Sequence, residues 1–157
     1  MKIAIVLHSQ SGHTAQFAKI IASKFTENGH ETDTRLLRTS GHVSPGKKNF
    51  ELRDAPEIDQ YDAALFGGPV WAFTASPVIM KYLSGLKNFK GKKAACFVTM
   101  GSPFLWMGGN QAVKAMNSKL ESCGADVLKG EIVPYHFKAN KTKMTESANR
   151  LYTAITG

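Results

Sequence analysis

Residues 2–14, Lys-Ile-Ala-Ile-Val-Leu-His-Ser-Gln-Ser-Gly-His-Thr, run from an apolar stretch straight into a polar turn. Ile3 to Leu7 are apolar without a break, which is the pattern of a strand buried on both faces. The turn Ser9-Gln10-Ser11-Gly12 opens into residues 13–28, where Phe17, Ile20, Ile21 and Phe25 mark one helical face and Asn28-Gly29 ends it. A buried strand, a short turn and an amphipathic helix make the first half of a parallel β-α-β unit, since parallel strands need a crossover.

The alternation continues outward from there. Residues 31–37 read as a second, more polar strand, and the polar stretch 38–58, with Gly41, Pro45, Gly46 and Pro56, reads as a long loop. Residues 61–67 read as a third strand. Ser76 and Pro77 then supply the N-cap and first residue of a helix through Ile79, Tyr82, Leu83 and Leu86. Residues 93–99 form a fourth strand, followed by a helix from Gln111 to Cys123 with Val113, Met116 and Leu120 on one face, closed by Gly124. A fifth strand is expected at 126–133. The last helix, 143–155, carries Met144, Ala148, Leu151, Tyr152 and Ile155 on one stripe. Five strands alternating with helices predict an α/β fold, a three-layer doubly wound parallel sheet, as one domain over residues 1–157.

Composition narrows the function. At 157 residues with 43% hydrophobic and 20% charged side chains, the chain can bury a sheet between two helical layers. No apolar run approaches the roughly 20 residues of a membrane span, and the run at 3–7 is too short for a signal-peptide core, so a cytoplasmic location is expected. The formal charge of +8 is spread along the chain, with short pairs only at Lys47-Lys48 and Lys92-Lys93. No base-reading motif accompanies it, which argues against nucleic acid as a partner. Cys96 and Cys123 show no metal or redox spacing, and His30, His42 and His136 complete no metal set or catalytic triad. Cys96, inside the apolar stretch 94–98, reads as a core residue.

Three segments at strand ends carry unusual chemistry. Ser9, Gln10, Ser11, Gly12, His13 and Thr14 combine three hydroxyls, a glycine and the free amides of a helix start, which favour a phosphate. His8, at the strand end, is expected to pack, and His13 to sit exposed. Gly67-Gly68-Pro69-Val70-Trp71-Ala72-Phe73-Thr74 places two aromatics in a loop, where a flat apolar ring would cover them by offset stacking. Thr99-Met100-Gly101-Ser102-Pro103-Phe104-Leu105-Trp106-Met107-Gly108-Gly109-Asn110 repeats the mixture of glycines and aromatics. Residues 104–107 there would equally serve as a subunit contact, and a homodimer through 103–107 is the corresponding expectation.

Together these segments resemble the flavodoxin family along nearly the whole chain. Ser9, Ser11, Gly12 and Thr14 match its phosphate turn, and Gly67, Pro69 and Trp71 match its second loop. The resemblance implies strand order 2-1-3-4-5 and non-covalent FMN, with the phosphate on residues 9–14. It further implies the ring face against Trp71 with Pro69, Val70, Ala72 and Phe73. The pyrimidine edge would then meet Thr99, Met100, Gly101, Ser102, Trp106, Gly108 and Gly109. One departure stands out: residues 67–80 and 99–120 contain no Asp or Glu, whereas electron-transfer flavodoxins surround their flavin with carboxylates. A carboxylate ~6 Å from a reduced, anionic flavin costs about 3 kcal/mol at an effective dielectric near 20. The chain is therefore expected to hold fully reduced FMN more readily than an acidic relative, and to dock redox partner proteins through their acidic surfaces. Electron carriage needs no catalytic residue and no metal. The alternative is an NAD(P)H-dependent FMN oxidoreductase acting on a quinone or other small acceptor, for which residues 38–56 and 103–107 would build a pocket over the flavin.

Overall fold

The structure, a computed structural model, describes residues 1–46, 49–135 and 140–157. The Lys47-Lys48 pair and His136 lie outside the described residues. In chain order the elements are β1 (Lys2–Leu7), α1 (His13–Thr26), β2 (Glu31–Leu36), β3 (Ala63–Trp71), β4 (Thr74–Ala75), α2 (Pro77–Ser84), β5 (Lys93–Met100), α3 (Gly109–Ser122), β6 (Asp126–Val127), β7 (Glu131–Pro134) and α4 (Lys141–Thr156).

The sheet runs β2-β1-β3-β5-β6, with β7 also on β5, and these pairs are parallel. Its centre is apolar on both faces because both faces are covered. Ile3, Ile5 and Leu7 of β1 pack with Phe17, Ile21 and Phe25 of α1 and with Leu151 and Ile155 of α4. Ala4 and Val6 face the opposite way, into a core with Phe66, Val78, Ile79, Leu83, Phe89 and Met116. The period-two alternation of a strand thus feeds two cores, and the period-four stripe of α1 closes one of them. This is the doubly wound, three-layer architecture expected, with β6 and β7 together filling the fifth strand position.

Three departures from the sequence reading matter for function. First, β3 does not stop at Gly67. It continues to Trp71 and turns back as β4, pairing Val70 with Ala75 and Trp71 with Thr74 in an antiparallel hairpin. Gly67 and Gly68 are strand residues buried in the sheet, and they are glycines because of packing. A Cβ on Gly67 would lie 2.1 Å from the Phe97 ring, and one on Gly68 3.0 Å from Ile79. Second, the fifth strand is broken. The register offset between β5 and the last strand is 33 at Lys93↔Asp126 and 34 at Phe97↔Glu131, so one extra residue enters between them, a bulge. Gly130 sits in it, where a Cβ would come within 2.8 Å of Val113 and 3.1 Å of the Cys96 carbonyl. Third, the long segment after β2 is tied down: Thr39 bridges Leu52, and Leu37, Val43, Phe50 and Ile58 are buried.

Candidate functional site

The carboxyl ends of β1, β3 and β5 lie side by side, so the segments that follow them meet at one edge of the sheet.

The first segment is an open helix start. Gly12 is the N-cap of α1 with φ +95°, and it brings no side-chain cap. A Cβ there would meet nothing within 4 Å, so glycine serves the left-handed backbone rather than clearance. The Ala15 amide donates to Ser9 Oγ at 3.2 Å and the Gln16 amide to the Gly12 carbonyl at 2.9 Å. The His13 and Thr14 amides belong to the first turn and have no carbonyl to bond within the helix. Gln10, Ser11 and Gly12 are exposed around them, and Ser9 and His13 are half-buried. The positive end of the helix dipole therefore faces solvent between neutral hydroxyl and amide groups.

Thr14 is different. Its hydroxyl is buried and shares a 2.8 Å hydrogen bond with Thr99 Oγ1, at the end of β5. Thr14 and Thr99 thus lie buried together beneath the turn, whereas Met100, next along β5 and also buried, points to the opposite face of the sheet, against Gly109 of α3. His13 is not free in solvent either: it stacks on Tyr135, centroids 3.7 Å apart and planes within 9°. Tyr135 also lies under Gly101, where an added Cβ would sit 3.5 Å from its hydroxyl. Nothing in the sequence singled out Tyr135, which follows the last strand and reaches the turn only through tertiary structure.

The second segment is the β3–β4 hairpin. Ala72 and Phe73 occupy its two-residue turn with φ +48° and +65°. A left-handed pair suits the twist of a tight hairpin, but Asn-Gly is the usual sequence, and each L residue there costs about 1 kcal/mol or more. Phe73 is 62% exposed, and Trp71 is half-buried. Behind Trp71, the His8 ring meets the indole edge-on with centroids 5.1 Å apart. His8 is buried, and its Nδ1 lies 2.8 Å from Ser76 Oγ. Ser76 Oγ also accepts from the Ile79 amide at 3.4 Å, so its single proton is free to go to a neutral His8. Burial lowers the His8 pKa to about 4, which keeps the ring neutral at pH 7.

The third segment, after β5, is held from within. Ser102 Oγ donates to Met107 Sδ at 3.2 Å and accepts from the Phe104 amide at 3.2 Å. Gln111 receives the Gly108 amide at 3.1 Å and donates to the Trp106 carbonyl at 3.0 Å. Gly108 has φ +114°, and a Cβ on it would lie 2.6 Å from Val70 and 2.7 Å from the Phe73 Cα, so the hairpin tip rests on this glycine. Gly109 is equally enclosed, against Met100 and Ile132. Phe104 and Trp106 stack, with centroids 5.9 Å apart, and together with Leu105 stand exposed. Pro69 is half-buried and Gly101 exposed along the edge between the second and third segments.

This sheet edge carries an open helix start, a half-buried indole and two interlocked segments, with no carboxylate in 67–80 or 99–120. It can hold an anion by neutral donors and a flat apolar ring by stacking. Among the described residues no helix is long and apolar enough to cross a membrane.

No family model matches the chain. It is 25% identical over 129 residues, 71% of this chain and 66% of the relative, to a protein described as NAD(P)H dehydrogenase (quinone) from Archaeoglobus fulgidus; the chain therefore spans just under two thirds of that relative's length. Among solved structures it is similar to oxidised Flavodoxin 1 from Bacillus cereus, with a TM-score of 0.73 and 22% identity over 99% of this chain and 97% of that one. A flavoprotein in complex with FMN from Lactobacillus acidophilus matches with a TM-score of 0.65 and 21% identity, covering 83% of this chain and 92% of its own.

Proposed function

We propose that this chain, whose fold is that of the flavodoxins, binds FMN without a covalent bond and carries electrons with it. The observation that carries the reading is the α1 start, with the His13 and Thr14 amides left without a helical carbonyl behind a left-handed Gly12, at the same sheet edge as a half-buried Trp71 held by His8. A flavoprotein of the same fold in complex with FMN supports it.

The residues present fit the group. Ser9, Gln10 and Ser11, with the amides of Gly12, His13 and Thr14, would take the phosphate as neutral donors at the positive helix end. Pro69, Val70, Trp71, Ala72 and Phe73 would face the ring, with Gly101, Ser102 and Trp106 at its other border. When bound, FMN supplies one- and two-electron redox chemistry. The chain binds, orients and shields. The His8 edge holds the Trp71 plane, the Thr14–Thr99 bond fixes the phosphate turn to β5, and Gly108 seats the hairpin tip. With no carboxylate in the ring-facing segments, negative charge arriving at the ring meets no Coulomb opposition from them. No side chain is needed as acid, base or nucleophile.

Redox partners with acidic surfaces follow from the +8 charge, with Phe104, Leu105 and Trp106 as the apolar centre of the docking face; a homodimer through 103–107 is the competing use of that patch. The cytoplasm is the location we expect. A second reading, an NAD(P)H-dependent oxidoreductase of a quinone or small acceptor, is favoured by the relative from Archaeoglobus fulgidus. One experiment separates the two. The purified protein should be yellow or take up added FMN, and NADPH or NADH added without a reductase should bleach it slowly if it is a carrier and at enzymatic rates if it is an oxidoreductase. Failure to take up FMN would refute both.

A further inference from the structure

Beside the phosphate turn lies a cavity of about 330 Å³, bounded by His8, Ser9 and Gln10 on one side and by residues 36–39, 41–43 and Arg53 on the other. Its basic wall is built by the Thr39–Leu52 bridge. The Arg53 amide donates to the Arg38 carbonyl at 2.9 Å, so these two arginines stand directly opposite on antiparallel backbone and project to the same face. Like charges so placed repel each other in the free chain. Both side chains are exposed, and among the described residues neither pairs with a carboxylate. No Asp or Glu lines the cavity. Leu37 and Val43, both buried, back it.

We propose that this cavity binds a phosphomonoester carried on a nucleotide ribose, the 2′-phosphate of NADPH, and so selects NADPH over NADH. The inference rests on the oxidoreductase reading above, which supplies the dinucleotide, and it names that reading's substrate. Two guanidinium forks match a phosphate dianion, which accepts paired N–H donors, better than they match a neutral hydroxyl. The volume is at the small end for ligand sites and suits a phosphorylated ribose rather than a whole dinucleotide. A concave wall backed by Leu37 and Val43 admits a small group, not the convex face of a protein. Ser9 and Gln10 border both this cavity and the phosphate turn, so the bound end of the dinucleotide would lie next to the flavin site without occupying it.

Calorimetric titration of the FMN-loaded protein with 2′,5′-ADP and with 5′-AMP, at low salt, tests this. The expected result is 2′,5′-ADP binding at least about tenfold tighter than 5′-AMP, as charge-assisted hydrogen bonds would give. Arg38→Gln and Arg53→Gln should each remove about tenfold or more of the 2′,5′-ADP affinity, with FMN content and melting temperature unchanged. Equal binding of the two nucleotides, or full 2′,5′-ADP affinity in both variants, overturns the proposal. Loss of FMN from the variants with 2′,5′-ADP affinity retained also overturns it and assigns the arginines to the cofactor. If the protein takes up no FMN yet binds 2′,5′-ADP through Arg38 and Arg53, the flavin reading fails and the phosphate site stands.

Discussion

His8 makes the stability of this protein fall in mild acid. Its folded-state pKa is lowered from 6.5 to about 4 because the ring is buried. Unfolding releases it to bind a proton below pH 6.5, so between pH 6.5 and 4 the unfolded state carries more protons. Stability is therefore present above the unfolded pKa and is lost as pH falls towards 4. The full shift is worth about 3 kcal/mol, and solvent reaching the exposed part of the ring trims this to about 2. Between pH 7.5 and 5 the expected loss is between about 1 and 2 kcal/mol, or a fall of up to about 1 M in the urea midpoint. The twelve Asp and Glu residues add their own acid sensitivity, so the comparison must be with a variant. His8→Asn keeps an acceptor near the Nδ1 position for Ser76 and removes the titration. Urea denaturation of both proteins across this pH range, FMN-free, measures the difference. Identical slopes of midpoint against pH would show that His8 is not the buried neutral ring described here.

Three further outcomes are expected. Gly67→Ala should lower the denaturation midpoint by about 1–3 kcal/mol of stability, because its methyl group must displace the Phe97 ring at 2.1 Å; an unchanged midpoint would contradict the packing. Ala72→Gly should raise the midpoint by up to about 1 kcal/mol by relieving a left-handed alanine, and a fall would contradict the turn geometry. Thr74→Asp, placing a carboxylate in the acid-free hairpin, should make the potential for full reduction of bound FMN tens of millivolts more negative, with about 130 mV as the ceiling; an unmoved potential in a redox titration would remove charge as the controlling factor.

The alternation of strands and helices was legible because burial on both sheet faces leaves unbroken apolar runs at 3–7 and 94–98, and because Phe17, Ile21 and Phe25 repeat at helical spacing. The open start of α1 was legible too, since a left-handed turn into a helix needs little more than small polar residues and a glycine. What misled was glycine itself. Gly68-Pro69 has loop composition, yet both continue the strand begun before Gly67, and the missing side chains of Gly67 and Gly68 make room for Phe97 and Ile79, neighbours that only the folded sheet supplies. Thr14 and Thr99, eighty-five residues apart, share one hydrogen bond that no local pattern announces. The same holds for Tyr135 beneath His13 and for the opposition of Arg38 to Arg53. Pairings across the chain are set by register, and register at the last strand turned on a single inserted residue.

That extra residue between β6 and β7 decides the parity of everything after it. Val133 points to the α1–α4 side and Ile132 to the α2–α3 side; without the insertion the two would trade places. Tyr135, two residues past Val133, would then project away from α1, and His13 would lose its stacking platform. A one-residue deletion near Gly130, on the far edge of the sheet, should be felt as a loosened lip at the mouth of the turn that opens α1.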